Sequence, residues 1–342
     1  MTYLRNCWYQ LGWSEELNTG EMLTRVVLDQ PLVIFRSEGG VSALHDRCPH
    51  RFAPLSLGVL DGGEVTCPYH GLRFGGSGAC VHNPHGAIVS SLSVSSYPVV
   101  ERHEALWIWM GDAPADPGLI PDLGFIESTP ATAKIFSYTA VAANYELLSD
   151  NIVDLSHADY LHASTLGSGF NTRTKARITE MPDRLVIAWE ADSEEAPPAF
   201  HIRSPAKLWT IVTWHAPAIM VLRAGGHPVD DDSAPIDTLN LHSMTPATET
   251  SSHYFACNTR SFNVDDAEFN AFLRTQLLHA FQVEDKPMVE AVQRNMGTSD
   301  LASLKPALMS NDSGPVRVRR NLEKRIAAEL QGRPLHASPR LL

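Results

Sequence analysis

The 342-residue sequence lacks the features that would indicate disulfide bonding, a membrane span or nucleic-acid binding. Its five cysteines are an odd number scattered over a long chain, which is not the pattern of a disulfide framework. Asp and Glu number 39 against 27 Lys and Arg. The net charge of −12 argues against nucleic acid or an anionic membrane as partner, because both attract clustered basic side chains. No run of 18 apolar residues occurs, so no membrane-spanning helix is predicted.

The first residues, MTYLRNCWYQLGW, lack the basic start, apolar run and small-residue cleavage site of a signal peptide. A cytoplasmic location is therefore expected. In such a reducing compartment, spaced cysteines bind metal more often than they form disulfides.

Hydrophobic patterning divides the chain into two parts. Residues 1–112 consist of short apolar runs separated by Gly-rich turns, which predicts an all-β domain. The Pro-, Gly- and Asp-rich segment 113–124 follows, and we place the domain boundary directly before it. Residues 113–342 combine several strand-like runs with helical patterns, which predicts a mixed α and β domain. The basic run 316–325 is expected to be the solvated face of the last helix, with a reductase docking site as the alternative.

Two short motifs, separated by sixteen residues, each supply one cysteine and one histidine. Cys48 and His50 form a C-x-H pair, and Cys67 and His70 form a C-x-x-H pair, both on proline-containing loops. Two thiolates and two imidazoles suit either a tetrahedral zinc ion or a Rieske [2Fe–2S] cluster. One cysteine and one histidine per loop favours the cluster, because one iron then takes both sulfurs and the other takes both imidazoles. The motif resembles that of Rieske proteins.

A second group of candidate ligands, Asp154, His157 and His162, lies within the segment 144–162. Two imidazoles and one carboxylate form the facial triad of non-haem Fe(II), which leaves positions open for O₂ and substrate. A separation of five residues places the two histidines about 140° apart on a regular helix. We therefore expect the helix to widen into a π-type turn or to end between them. Asp154 is expected on the same helix face as His157, one turn earlier. The alternative is that these are polar residues on an amphipathic helix.

Several segments along almost the whole chain resemble the Rieske non-haem iron oxygenases of the vanillate O-demethylase and dicamba monooxygenase type. These segments are residues 5–9, 98–112, 143–162, 252–262 and 284–292. The resemblance implies an α+β protein with two domains. An all-β Rieske domain over residues 1–112 is followed by a helix-grip-like catalytic domain with an antiparallel sheet over residues 113–342.

The resemblance also assigns roles to individual residues. It implies that Asp154 is not an iron ligand but a bridge, which hydrogen-bonds His157 and, across a subunit interface, a cluster histidine, here His70. The third ligand of the mononuclear iron is expected from a late helix. Between Glu284 and Asp285 the resemblance favours Asp285, and Glu284 is expected on the helix surface.

The substrate-binding residues are predicted from strand alternation. In residues 238–244 Asn240, His242 and Met244 alternate with leucines. If this face lines the cavity, His242 is placed to bind a substrate carboxylate or phenol, and a solvent-facing histidine on an edge strand is the alternative. Asn151, one turn before Asp154, is a second candidate, and for it too the alternative is a side chain that faces solvent.

The function that the resemblance implies is monooxygenation of a methoxy or methyl group of an aromatic compound. O₂ and electrons are consumed, and the electrons come from NAD(P)H through a separate reductase carrying flavin and a [2Fe–2S] centre, or through a ferredoxin. Hydroxylation of an aryl methoxy carbon gives a hemiacetal that collapses to a phenol and formaldehyde. A homotrimer is implied as well. Ring hydroxylation and N-demethylation are alternatives, and a Rieske electron carrier without catalysis is the alternative from another class.

Overall fold

The computed structural model describes residues 2–163, 166–197, 202–231 and 235–332. The chain folds into two units. One consists of residues 5–120 together with 245–249, and the other contains the described parts of residues 1–4, 121–244 and 250–342. None of the helices in these described ranges combines the length and apolar character that crossing a bilayer requires.

The unit built from residues 5–120 contains three small antiparallel sheets. Their strand orders are β1-β11-β10, β2-β3-β4-β9 and β5-β6-β7-β8. The strands are β1 (Trp8–Trp13), β2 (Met22–Val27), β3 (Gln30–Ser37), β4 (Gly40–His45), β5 (Val59–Asp61), β6 (Glu64–Thr66), β7 (Arg73–Phe74), β8 (Cys80–His82), β9 (Ser96–Tyr97), β10 (Val99–Arg102) and β11 (Ala105–Trp109). This arrangement confirms the all-β prediction for the first part of the chain.

The hydrophobic core of this unit extends to two of its cysteines. Val33, Phe35 and Leu44 from β3 and β4 are completely buried, and the same cluster includes Cys48 and Cys67. The two thiols therefore point toward the protein interior. The loop between β4 and β5 and the loop between β6 and β7 are thereby anchored in the core by their cysteines.

Residues 113–120 pack with this unit rather than leading directly away from it. The indole nitrogen of Trp8 donates to the carbonyl oxygen of Asp116 at 2.7 Å. Arg102 Nη1 donates to the carbonyl oxygen of Pro117 at 3.1 Å. The Pro- and Gly-rich segment is thus tied to β1 and β10 for part of its length.

The second unit is built on a seven-stranded sheet with the order β12-β18-β17-β16-β15-β14-β13. Strands β13 to β18 follow one another as a meander, and β12 pairs antiparallel with β18 at one edge. The strands are β12 (Lys134–Val141), β13 (Arg177–Glu180), β14 (Arg184–Glu194), β15 (Ala206–His215), β16 (Ile219–Pro228), β17 (Ile236–Thr248) and β18 (Ser251–Arg260).

A long helical segment packs on this sheet, and the predicted α+β class is confirmed. It consists of α5, a π-helical turn over Ala280–Asp285, and α6. Leu273 and Leu277 of α5 bury their side chains against Ile135 of β12. The helices are α1 (Gly124–Ser128), α2 (Tyr145–Val153), α3 (Ala158–Leu161), α4 (Phe170–Arg173), α5 (Ala267–His279), α6 (Lys286–Met296) and α7 (Ser313–Leu330).

Helix α7 is fixed to α2 by an ion-pair network. Arg319, with 16% of its side chain exposed, contacts Asp150 at 2.7 Å and Glu146 at 2.8 Å. The expectation that the basic run 316–325 is a solvated face is therefore wrong for Arg319. The reason is helical spacing, because Val318 and Leu322 on the adjoining positions of α7 are buried. The network holds α2, which leads directly into the segment with His157.

Candidate metal centres and the adjoining cavity

Two loops of matching construction hold the four candidate cluster ligands. One begins at Cys48 and the other at Cys67. In each loop the cysteine N–H donates to the carbonyl oxygen five residues further on, that of Ala53 at 2.9 Å and that of Leu72 at 2.8 Å. Both cysteines are thereby held at the base of a closed turn, and the histidine of each motif lies at its outer side.

The side chains of these loops fit a [2Fe–2S] cluster with mixed ligands. Cys48 and Cys67 are buried, and the rings of His50 and His70 lie with their centroids 4.4 Å apart. Nδ1 of His70 is buried and has no hydrogen-bond partner among the described residues. A nitrogen without a hydrogen-bond partner is available to bind a metal. Two inward thiols and two paired imidazoles therefore match the donor set of a Rieske cluster.

The segment with His157 and His162 is not one continuous helix. Helix α2 ends at Val153, and Asp154 has an extended backbone (φ −128°, ψ 94°). A 3-10 turn then leads to His157, and His162 follows the last residue of the short helix α3. The predicted end of the helix between the two histidines is confirmed for α3, which ends at Leu161, whereas α2 itself ends before His157. The expected position of Asp154 on a shared helix face with His157 is wrong, because the chain leaves the helix at that residue.

Both candidate ligand histidines are oriented through Nδ1. His157 Nδ1 lies 2.7 Å from the carbonyl oxygen of Asp154, and His162 Nδ1 lies 2.7 Å from a carboxylate oxygen of Glu284. Because a carbonyl and a carboxylate oxygen only accept, each Nδ1 carries a proton, and Nε2 is the ring nitrogen that remains to bind a metal. The two Nε2 atoms lie 3.5 and 3.1 Å from the same oxygen of Asp285.

The structure thus brings together His157, His162 and Asp285, whose ligand atoms all lie within 4.8 Å of one another. Two imidazoles and one carboxylate are the donor set of mononuclear non-haem Fe(II). Their chemistry therefore fits this ion.

The carboxylate at position 285 is delivered by the π-helical turn Ala280–Asp285. Within this turn the adjacent residues Glu284 and Asp285 reach the two different nitrogens of one ring, that of His162. The expectation that Glu284 lies on the helix surface is therefore wrong. The acidic pair was visible in the sequence, but the π-type turn that directs both carboxylates to one ring was not.

Asn151, which the sequence predicted as a substrate-binding residue, lies at the same centre. Its Nδ2 donates to Asp285 Oδ1 at 3.1 Å, and it is not among the described residues that line the cavity. Its amide is engaged in holding the carboxylate.

The Asp154 side chain makes contacts that were not predicted from the sequence. Its carboxylate accepts from Asn311 Nδ2 at 2.7 Å and from the N–H of Ser156 at 3.1 Å, whereas the contact with His157 comes from its main-chain oxygen. Asn311 also donates to the Ser156 hydroxyl at 3.0 Å. No motif marks Asn311, which is 157 residues further along the chain.

A largely apolar cavity adjoins the three candidate iron ligands, and His157, His162 and Asp285 are part of its wall. The strands contribute mainly residues of one face, which are the even-numbered positions of β15 to β18. These include Leu208, Thr210, Leu222, Ala224, Thr238, Asn240, His242, Ala256 and Asn258. Of the face predicted from strand alternation, Asn240 and His242 line the cavity, whereas Met244 is not among the described residues that line it.

His242 is a buried, neutral histidine in this wall. Its Nδ1 lies 2.7 Å from the hydroxyl of Tyr254, and its Nε2 is buried without a hydrogen-bond partner among the described residues. Burial lowers the pKa of His242 to about 4, although the carboxylate of Asp285 acts in the opposite direction. The imidazole is therefore uncharged at neutral pH.

A cysteine–histidine cluster site in one unit and a two-histidine, one-carboxylate site in the other together define a class of enzyme, the Rieske non-haem iron oxygenases. Comparison with known families agrees on both units. Residues 7–98 match the Rieske [2Fe–2S] domain, and residues 141–328 match the C-terminal domain of the vanillate O-demethylase oxygenase.

Characterised relatives match the chain along almost its whole length. The oxygenase component of dicamba O-demethylase from Stenotrophomonas maltophilia is 40% identical over 95% of this chain and 98% of its own. The oxygenase component of chloroacetanilide N-alkylformylase from Rhizorhabdus wittichii is 37% identical over 97% of both chains. The crystal structure of dicamba monooxygenase bound to dicamba superposes with a TM-score of 0.88 at 38% identity, covering 97% of this chain and 100% of that one.

The chain belongs to the vanillate O-demethylase oxygenase family of Rieske non-haem iron oxygenases. It is an oxidoreductase that uses a [2Fe–2S] cluster and a mononuclear iron. As an oxygenase component, it receives electrons from a separate redox protein.

Proposed function

We propose that this protein hydroxylates the methoxy group of an aromatic compound and thereby releases formaldehyde. The observation that carries the proposal is the apolar cavity whose wall contains His157, His162 and Asp285. An aromatic ring fits such a wall, and the iron would lie where a substituent of the ring reaches it.

The residues at the iron site would act as follows. His157 and His162 would bind the ion through Nε2, and Asp285 would bind it through its carboxylate. Glu284 and Asn151 position the ligands, because one holds the His162 ring and the other holds the Asp285 oxygen. With O₂ and two electrons, the bound iron supplies the oxidising power that inserts oxygen into a C–H bond.

His242 would orient the substrate. The hydroxyl of Tyr254 donates its proton to Nδ1, so that Nε2–H is left as a donor in the cavity wall. A carboxylate or phenol oxygen of the substrate accepts this proton. Because the imidazole is desolvated, a missing partner would leave a buried donor unsatisfied, which favours substrates with such an oxygen.

The protein would form a homotrimer. Electrons would leave the cluster of one subunit through His70 and pass through Asp154 of the neighbouring subunit to its iron. Exposed apolar side chains near the cluster loops, Phe52, Leu57 and Tyr69, support the view that another surface covers this region. The partners in the proposal are O₂, a small aromatic substrate and a reductase or ferredoxin that receives its electrons from NAD(P)H. The protein would act in the cytoplasm.

The electron-transfer domain would be residues 1–112 and the catalytic domain residues 113–342.

Asp154→Asn is expected to keep both metal centres and to lower activity roughly 10- to 100-fold. The amide oxygen can still accept from Asn311, although an NH₂ group then replaces the oxygen that accepts from the Ser156 N–H. The negative charge of the bridge is lost. Iron content, cluster absorption and the rate of cluster reoxidation by O₂ with substrate bound would be measured. Reoxidation as fast as in the wild type would contradict a bridging role.

The proposed reaction is tested with a panel of methoxy-, methyl- and N-alkyl-substituted arenes, with a surrogate reductase. Formaldehyde equimolar to a demethylated phenol is expected from methoxyarenes. N-alkyl compounds belong in the panel because the chloroacetanilide N-alkylformylase component is a relative at 37% identity. Ring-hydroxylated products without formaldehyde would refute O-demethylation, and N-dealkylated products alone would replace it by N-dealkylation.

A further inference from the structure

The cavity wall contains further polar side chains besides His242, and two of them are neighbouring asparagines. Asn240 lies on β17 and Asn258 on β18, and both line the cavity. We propose that Asn258, held by Asn240, is a hydrogen-bond acceptor that selects aromatic substrates carrying an O–H or N–H group. This inference rests on the proposed function for the assumption that an aromatic compound occupies the cavity.

The orientation of the Asn240 amide is determined by its partners. Its Nδ2 donates to the carbonyl oxygen of Leu222 at 3.2 Å and to the hydroxyl of Thr238 at 3.2 Å. A main-chain carbonyl only accepts, so the atom facing it is the nitrogen. The oxygen of Asn240 must then lie on the side of Asn258.

The Asn240 oxygen in turn determines the orientation of Asn258. It accepts a hydrogen bond from Asn258 Nδ2. The remaining polar atom, Asn258 Oδ1, is buried and has no hydrogen-bond partner among the described residues. A chain of two amides, anchored at Leu222, therefore presents an acceptor rather than a donor.

A buried acceptor without a hydrogen bond raises the free energy of the protein, and a hydrogen-bond donor on the substrate would remove this penalty. The wall beside it contains the apolar side chains of Leu222, Ala224 and Ala256. The hydroxyl of Thr238 already donates its proton to the carbonyl oxygen of Ala224, at 3.0 Å. A substrate O–H or N–H at this point would complete the hydrogen bonds of the wall. An ether or a methyl group there would leave the acceptor unpaired, at a cost of roughly a factor of 10 to 100 in affinity.

The spacing of the two polar groups fits one aromatic ring. Asn240 and His242 are two residues apart on the same strand face, which corresponds to about 7 Å. Asn258 lies beside Asn240 on the neighbouring strand and donates a hydrogen bond to it. A ring held by an oxygen at His242 would thus place its donor substituent at Asn258.

The test compares pairs of methoxybenzoates that differ in one hydrogen-bond donor. One member carries a free hydroxyl or amino group para to the carboxylate, and the other carries an O-methyl or dimethylamino group there. Dissociation constants would be measured by calorimetry on the protein with both metal centres in place, without O₂. The wild type is expected to bind the donor-bearing member roughly 10- to 100-fold more tightly.

Asn258→Leu should reduce this ratio to about one, mainly by weakening the donor-bearing member. Asn240→Leu should also reduce it, because the Asn258 amide is then free to rotate. Asn171→Leu is the matched control, since Asn171 also lines the cavity with a buried, unpartnered oxygen, but no described bond fixes its amide. It should leave the ratio unchanged.

A ratio near one in the wild type would overturn the proposal, and this measurement does not depend on the folding of any variant. A ratio that survives Asn258→Leu, or that disappears with Asn171→Leu instead, would overturn it as well. Binding and turnover separate the two proposals. Donor selectivity without formaldehyde release refutes only the O-demethylation, and formaldehyde release without selectivity refutes only the role of Asn258.

Discussion

Asp285→Ala is expected to abolish turnover and mononuclear iron binding while the visible absorption of the Rieske cluster persists. The substitution removes the one oxygen that both ligand histidines face, at 3.5 Å from His157 and 3.1 Å from His162. Two imidazoles without a carboxylate do not form the facial triad. Iron analysis per chain, together with the cluster spectrum, measures the result.

The adjacent acidic residue provides a matched control. Glu284→Ala removes a carboxylate from the same helical turn, but one that contacts the outer nitrogen of His162 rather than the ion site. It should weaken iron binding by roughly 10- to 100-fold without preventing it. If Asp285→Ala protein retained a full mononuclear iron and only Glu284→Ala lost it, the two roles would have to be exchanged.

Cys67→Ala is expected to remove the cluster and with it both the visible colour and all activity. Cys67 is 2% exposed, and its main chain closes one of the two matching loops. A ligand lost from this interior position cannot be replaced by water at the same depth. The absorption spectrum, sulfide content and turnover of the purified variant measure the outcome.

Cys80→Ala is the control for this substitution. Cys80 lies in the same unit, and its thiol contacts the carbonyl oxygen of His82 at 3.4 Å. The variant should keep its colour and activity, because this thiol is outside the two loops. A coloured and active Cys67→Ala protein would refute the assigned cluster ligands.

The features that could be predicted from the sequence are local or periodic. The cluster loops are motifs of three and four residues, and the structure gives them equivalent hydrogen bonds. The inward face around His242 follows from strand alternation. The mixed α and β character of the second unit follows from the patterns of its strands and of the helix that starts at Ala267.

The features that could not be predicted depend on contacts between distant segments. Asn311 reaches Asp154 across 157 positions, and Glu284 reaches His162 across 122. Neither contact can be predicted from the spacing of the two residues in the sequence. The orientation of Asn258 likewise depends on Asn240 in the neighbouring strand. Polar side chains of these kinds are common on any surface, and only the fold shows which of them meet.

The hydrogen bonds that orient His157 and His162 have a consequence for how the mononuclear iron is reloaded. Each ring is anchored at Nδ1 by the protein itself, by a main-chain oxygen in one case and by a carboxylate in the other. The geometry that receives the ion is therefore not created by the ion. We therefore expect that adding ferrous salt to folded, iron-depleted protein restores the iron content without a refolding step.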